Sequence, residues 1–346
     1  MLMNSNKVII YAQDSFGGES AKTGIGFIRY GLCETVGIVD RQLAGKTASD
    51  VVNDLPKIPI FDSVEAAKKH RADADVLLVG IAPPGGKLPQ EWISDIKTAI
   101  KLNLNIVNGL HDFLENILAL KELASKQKVF IWDVRKYRGD LLVANAKLLD
   151  LPMQVVLTVG TDAAVGKMTV SLELAKAARK NKFSAEFVAT GQTGMMISGD
   201  GIPIDAIIGD FMAGAIEQQL VKVSKKKCDF AFVEGQGSIL HPAWSGVTLA
   251  LYHGSLPHKL ILCHKAGNKY LRNTKVEIES FNQFVKIYET VSLPLRKAKV
   301  AGIALNTLGL TNDQANDAIK KAEDETGLVA DDVVRNCGEK LFCALR

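Results

Sequence analysis

The chain has 346 residues, 47% of them hydrophobic, and a formal net charge of +4. That length accommodates two domains of ordinary size, each with a packed core. The charge is too mild to argue for a nucleic-acid partner, and no apolar stretch is long enough to span a membrane.

The opening residues, MLMNSNKVIIYAQ, carry a short apolar run without a cleavage-site pattern, and residues 7–13 read as a first strand. Further strands are expected at 35–40, 58–61, 74–81, 105–109 and 129–134, with helical stretches such as SVEAAKKH and EWISDIKTAIKL between them. Strand, helix, strand in series means crossover units and a parallel sheet, and near-continuous apolar strands fit a sheet covered on both faces. The loop DSFGGESAKTGIG is glycine-rich and Asp40 closes the second strand. G-x-G-x-x-G spacing is absent, so a plain Rossmann-like scaffold is favoured over a dinucleotide site.

RKYRGDLLVANAKLLDLP breaks this rhythm and ends in proline, which places a domain boundary near residue 150. The expected fold is thus α/β throughout: a Rossmann-like parallel-sheet domain over 1–150 and a P-loop NTPase-like parallel-sheet domain over 151–346. In the second, strands are expected at 155–159, 186–190, 229–234, 259–264 and 299–306, and helices at 167–180, 211–223, 278–290 and 313–326. The run KVSKKKC reads as the solvated end of a helix. The five cysteines form no CxxC pair and their odd number fits no disulfide framework, which points to reduced thiols in a cytoplasmic protein. No metal site is read from the sequence.

Four segments carry the chemistry. In GTDAAVGKMT, Gly160 and Gly166 bracket a turn that aims backbone N–H groups inward, the following helix adds its positive end, and Lys167 supplies a mobile charge. Thr161, Asp162 and Val165 complete the loop. Met168 stands where a nucleotide hydrolase usually has a Mg-binding hydroxyl, and Thr169 follows it; the loop therefore favours gripping a diphosphate over γ-phosphate chemistry. In DFAFVEGQGSILHPAW, Glu234 ends an apolar strand beside that loop, where ligands of open parallel sheets bind. It is placed to hold a metal or take a proton, or to cap the next helix; Gly235, Gln236 and Ser238 follow it, then His241. In ATGQTG, Gln192 and Thr193 offer uncharged hydrogen bonds. Downstream, Asp210 reads equally as a site carboxylate and as the N-cap of a helix starting at Phe211. Asn306 ends a strand, where an amide reads an adenine edge or serves a turn.

GTDAAVGK resembles the loop of dethiobiotin synthetases, and VEGQGS resembles their later acidic motif. A closer resemblance runs over nearly the whole chain. GTDAAVGKMT, ATGQTG, IIGDFMAGA, VEGQGSILHPAWSGVTLALYHGS and LCHKAG, behind a Rossmann-like domain, resemble a bacterial and archaeal family long of unknown function. Members of that family are assigned as D-glutamate N-acetyltransferases. The resemblance implies acetyl-CoA as co-substrate and the amine of D-glutamate, or of a related amino acid, as acceptor. A loop that grips phosphate without the usual hydroxyl suits a carrier whose phosphates are handles and whose reactive thioester lies at the other end.

Under that reading the acceptor amine needs a base, Glu234 first, then His241 or Asp210. Amides of residues 235–238 or 191–194 would stabilise charge on the thioester carbonyl. Arg135 and Lys136, or Lys265 and Arg272, would pair with the carboxylates of the acceptor. Two other readings stay open: an ATP- and Mg-dependent kinase or ligase of the dethiobiotin synthetase kind, with Glu234 on the metal and Thr169 replacing the missing hydroxyl, and a non-catalytic nucleotide-sensing module. In each the partner is a small molecule, and the sequence is compatible with a homo-oligomer without fixing a subunit number.

Overall fold

The computed structural model describes residues 2–293 and 295–346. The chain divides into two compact units, Met1–Tyr137 with Met195–Pro203, and Arg138–Gly194 with Ile204–Arg346. The expected boundary lay near residue 150; residues 138–150 group with the second unit.

The first unit is built on six strands: β1 (Lys7–Tyr11), β2 (Glu34–Val39), β3 (Ile60–Phe61), β4 (Val76–Val79), β5 (Asn105–Asn108) and β6 (Ile131–Asp133). Their order is β3-β2-β1-β4-β5-β6 and every pair is parallel. The central strands are fully buried on both faces, as their unbroken Val, Ile and Leu runs require. Two strand-end carboxylates serve the protein's own loops. Asp40, just after β2, accepts Ser15 N–H and Phe16 N–H on Oδ2 at 3.1 and 2.9 Å, and Gln42 N–H on Oδ1 at 3.0 Å. Asp133 accepts Asn108 Nδ2 and Leu114 N–H on Oδ1 at 2.7 and 3.0 Å, and Glu115 N–H on Oδ2 at 2.9 Å.

The second unit has β7 (Gln154–Gly160), β8 (Ala185–Val188), β9 (Phe230–Val233), β10 (Lys259–Lys265), β11 (Lys299–Asn306) and β12 (Val329–Asp331). Their order is β12-β11-β10-β7-β9-β8, again all parallel. Val170, Leu174 and Ala178 on the helix Lys167–Lys180 pack with Phe230, Phe232, Leu341 and Phe342 to close one face of the core. The reading of the sequence missed β12, three residues long, and the helices Gln192–Ser198, Ser245–Ser255 and Glu339–Leu345. The helix expected from Ile278 starts at Phe281 instead, because the Ser280 side chain accepts Gln283 N–H and caps it there. Asp210 is not an N-cap: the helix runs Gly209–Ser224, and Asp210 lies in its first turn.

A strap formed by the residues after Arg138 is fixed to that same helix. The buried Glu217 carboxylate accepts Asn145 N–H and Lys147 N–H at 3.1 and 2.9 Å. Leu142 crosses so close to Gly214 that a Cβ there would stand 1.7 Å from the Leu142 carbonyl oxygen.

Candidate functional site

β7 delivers the chain to Gly160, the loop 161–166 turns, and the helix Lys167–Lys180 begins behind Gly166 at φ +108°, a conformation open to glycine. Several side chains fix the loop's shape. Gly160 O accepts the Tyr288 hydroxyl at 2.9 Å, and Thr161 Oγ1 bonds His264 Nδ1 at 2.8 Å. Burial pushes the His264 imidazole down to about 4, so it is neutral near pH 7, and pushes the Tyr288 phenol up to about 12. Val165 points into the core, leaving only its main chain to the loop. Met168 and Thr169 are half-buried in the first helical turn, and Asn306 lies beside Gly166.

Lys167 is folded inward and buried. Among the described residues its ammonium makes one hydrogen bond, to Asp162 O at 2.7 Å, although it has three donors. Burial drives its pKa down to about 8 against the opposing pull of Cys263, Asp162 and Glu234. Cys263, opposite Gly160 in the β10–β7 register, is held as the thiol by burial, up to about 12.

Glu234 follows β9 and is buried. Its Oε2 accepts Thr190 N–H at 2.9 Å and Gly191 N–H at 3.1 Å. Burial raises its pKa to about 7, the dominant effect, while those amides, nearby Lys167 and the Gln236 amide pull the other way. The close fit depends on small neighbours. A Cβ on Gly194 would sit 2.5 Å from Glu234 Oε2, and one on Gly235 would sit 1.7 Å from Thr158 O. Gly235 N–H in turn donates to Thr158 Oγ1 at 2.9 Å, and Gln236 Nε2 donates to Thr190 Oγ1 at 3.2 Å. The ATGQTG segment thus matters through its backbone at Thr190 and Gly191, which side-chain inventories of Gln192 and Thr193 do not reveal. Those two residues are half-buried at the start of the helix Gln192–Ser198.

His241 is buried with both ring nitrogens engaged by main chain. Nδ1 accepts Ala243 N–H at 3.1 Å, which makes Nε2–H the donor to Arg272 O at 3.0 Å. The ring stacks on Trp244, 4.1 Å between centroids, and Nε2 is 3.8 Å from Asp162 Oδ1. This histidine positions the loop and has no nitrogen left for a substrate amine. Ser238 is fully buried. Asp210 is exposed. Arg135 belongs to the first unit, is buried, and donates from Nε to Gly109 O at 2.8 Å, while Lys136 pairs with Glu115 at 2.7 Å. The structure thus gathers Lys167, Asp162, Asn306, Glu234 and Gln236 around the phosphate loop. It also adds four contributors that the sequence reading passed over: Thr190, Cys263, His264 and Tyr288. Cys263 and His264 were visible only as the end of an apolar strand and within the family motif LCHKAG, with no role attached to either.

Two family profiles match the chain. One, a domain of unknown function (DUF1611_C) described as a P-loop domain, covers residues 142–342; the other, DUF1611_N, described as a Rossmann-like domain, covers residues 41–137. A protein from Pseudoalteromonas named D-glutamate N-acetyltransferase is 36% identical over 279 residues, 79% of this chain and 80% of its own. A protein of the same name from Tritonibacter scottomollicae is 35% identical over 289 residues, 82% of this chain and 84% of its own. The crystal structure of a DUF1611 family protein from Anabaena variabilis ATCC 29413, at 2.30 Å resolution, aligns with a TM-score of 0.93 at 40% identity, covering 99% of both chains. The chain belongs to the DUF1611 family, with a Rossmann-like N-terminal and a P-loop C-terminal domain.

Proposed function

We propose that the chain is an N-acetyltransferase that moves acetyl from acetyl-CoA to the amine of D-glutamate or a related amino acid. One observation carries the reading: a buried carboxylate titrating near neutrality, Glu234, stands beside a buried ammonium, Lys167, that lacks enough partners of its own. The ammonium fits an anion that would complete its hydrogen bonds, and the loop amides with the helix start fit the diphosphate of coenzyme A. The carboxylate fits a general base poised at the operating pH. The two relatives that bear the acetyltransferase name support this choice of chemistry.

In the step, the neutral amine of the acceptor gives its proton to Glu234 as its nitrogen bonds to the thioester carbonyl carbon. The carbon–sulfur bond breaks, and the carboxyl returns the proton to the departing thiolate. Charge on the carbonyl oxygen needs donors. Gly191 N–H is already committed to Glu234 and Gly235 N–H to Thr158, which shifts that role toward the amides of Gln236, Gly237 and Ser238. The co-substrate, acetyl-CoA, would lie with its phosphates on residues 160–169. The test is to mix the protein with acetyl-CoA and D-glutamate and follow free thiol. Thiol release that requires the amino acid supports the reading. No thiol release, together with ADP formed when ATP and magnesium replace acetyl-CoA, rejects it in favour of the kinase or ligase chemistry.

A further inference from the structure

β10 ends at Lys265, and register places Lys265 directly opposite Asn306 at the end of β11. Asn306 in turn lies beside Gly166 of the phosphate loop. Beyond Lys265 the chain makes a small hairpin. Leu271 N–H donates to Val276 O at 2.8 Å, Ile278 N–H donates to Lys269 O at 2.9 Å, and Tyr270 and Glu277 form an antiparallel bridge. Leu271 is buried and pins the hairpin down.

Arg272, in the arm of the hairpin, is tied to the phosphate loop through its main chain on both sides. Its N–H donates to Asp162 Oδ2 at 2.7 Å, and its carbonyl accepts His241 Nε2–H at 3.0 Å. Asp162 Oδ1 is meanwhile taken by Ala163 N–H at 2.6 Å, so the one acidic side chain at this contact is already bonded to backbone.

Residues 265–278 carry Lys265, Lys269, Arg272 and Lys275 against a single acid, Glu277. Lys269, Arg272 and Lys275 are exposed and Lys265 is half-buried. No ion pair joins any of these four cations among the described residues. Four positive charges against one acid stand on an element clamped to a phosphate loop, which gives that element a positive local potential suited to an anion.

Which anion follows from the strand order. β10 and β9 flank β7 on opposite sides, so the end of β10 at Lys265 lies across the loop from Glu234, about 10 Å away at sheet spacing. The reacting end of the ligand belongs on the Glu234 side and the far end of the carrier on the Lys265–Asn306 side. We infer that Lys265 and the hairpin bearing Arg272 and Lys275 hold the phosphate carried on the ribose of the acyl carrier, and so distinguish coenzyme A from carriers that lack it. This rests on the acyl-carrier reading above.

Calorimetric titration of the full chain with coenzyme A and with dephospho-coenzyme A, in the absence of any acceptor, tests the inference apart from turnover. The wild type is expected to bind coenzyme A about tenfold or more tightly than the dephospho form, the scale of one or two charge-assisted hydrogen bonds. Combined Lys265→Gln, Arg272→Gln and Lys275→Gln changes should bring the two affinities together by weakening coenzyme A alone. Equal affinities in the wild type overturn the inference even where thiol release is observed. A preference that survives the triple change overturns it as well. A triple variant that keeps the preference but has a raised KM for D-glutamate assigns the cations to the acceptor's carboxylates. Failure of thiol release with the affinity ratio intact would instead count against the acyltransfer reading alone.

Discussion

At the ends of β2 and β9 the chain places a carboxylate in the same topological position, directly after a buried strand of a six-stranded parallel sheet. Asp40 shares its two oxygens among three amides of its own loops. Glu234 takes Thr190 and Gly191 on a single oxygen and feels the charge of the buried Lys167 ammonium. The topology is common to both; the chemistry is not. Both acids are buried, so the difference lies in their partners: three amides shared over both oxygens for Asp40, two amides on one oxygen with Lys167 nearby for Glu234. Where the backbone saturates it, the same acid is a fastener.

The sharpest way to break the comparison is Glu234→Gln. The turnover number for thiol release should fall about 10²–10⁴-fold, with coenzyme A affinity changed little. Full activity would remove Glu234 from the chemistry. Lys167→Ala comes next: coenzyme A affinity should weaken about tenfold or more in a binding titration. Unchanged affinity would mean the loop does not grip the carrier.

The paired titrations give a third expectation. kcat/KM should rise as pH rises through about 7, where Glu234 becomes a base, and fall as pH rises through about 8, where Lys167 loses its charge. Stability carries the same signature. Because the folded-state pKa of Glu234 is raised from 4.5 to about 7, its contribution is complete below 4.5 and is lost as pH climbs through 7. Thermal melts of Glu234→Gln and the wild type should therefore diverge in the variant's favour over that window, by up to a few kcal/mol, at about 1.4 kcal/mol per pKa unit. A constant gap would contradict the burial argument. The smallest expected effect is that of Asp40→Asn. It should lower the melting temperature through about 1–3 kcal/mol of lost hydrogen bonding while leaving the specific rate of thiol release untouched.

Much of this was legible before any coordinates. Apolar runs marked eleven of the twelve strands among the described residues, and the glycine-bracketed loop with Lys167 and the strand-end Glu234 marked the candidate site. What escaped has physical causes. Val329–Asp331 is too short to show a period. The helix Ser245–Ser255 holds two glycines and reads as loop; it is held by contacts distant in sequence, such as the Thr248 hydroxyl on Gln236 O at 2.8 Å and the packing of Gly254 against Ala213. His241 looked like a candidate base because sequence reports a residue's chemistry and not who occupies its nitrogens. Arg135 looked like a substrate clamp because nothing in its neighbours announces Gly109 as its partner.

The strap across Gly214 and Glu217 fixes where the second unit can be cut free. A polypeptide beginning at residue 151 would leave the Glu217 carboxylate buried without Asn145 and Lys147, and would bare the groove that Leu142 fills. One beginning at Arg138 keeps both, but still carries Met195–Pro203, a segment with buried Met196 and Ile197 that groups with the first unit.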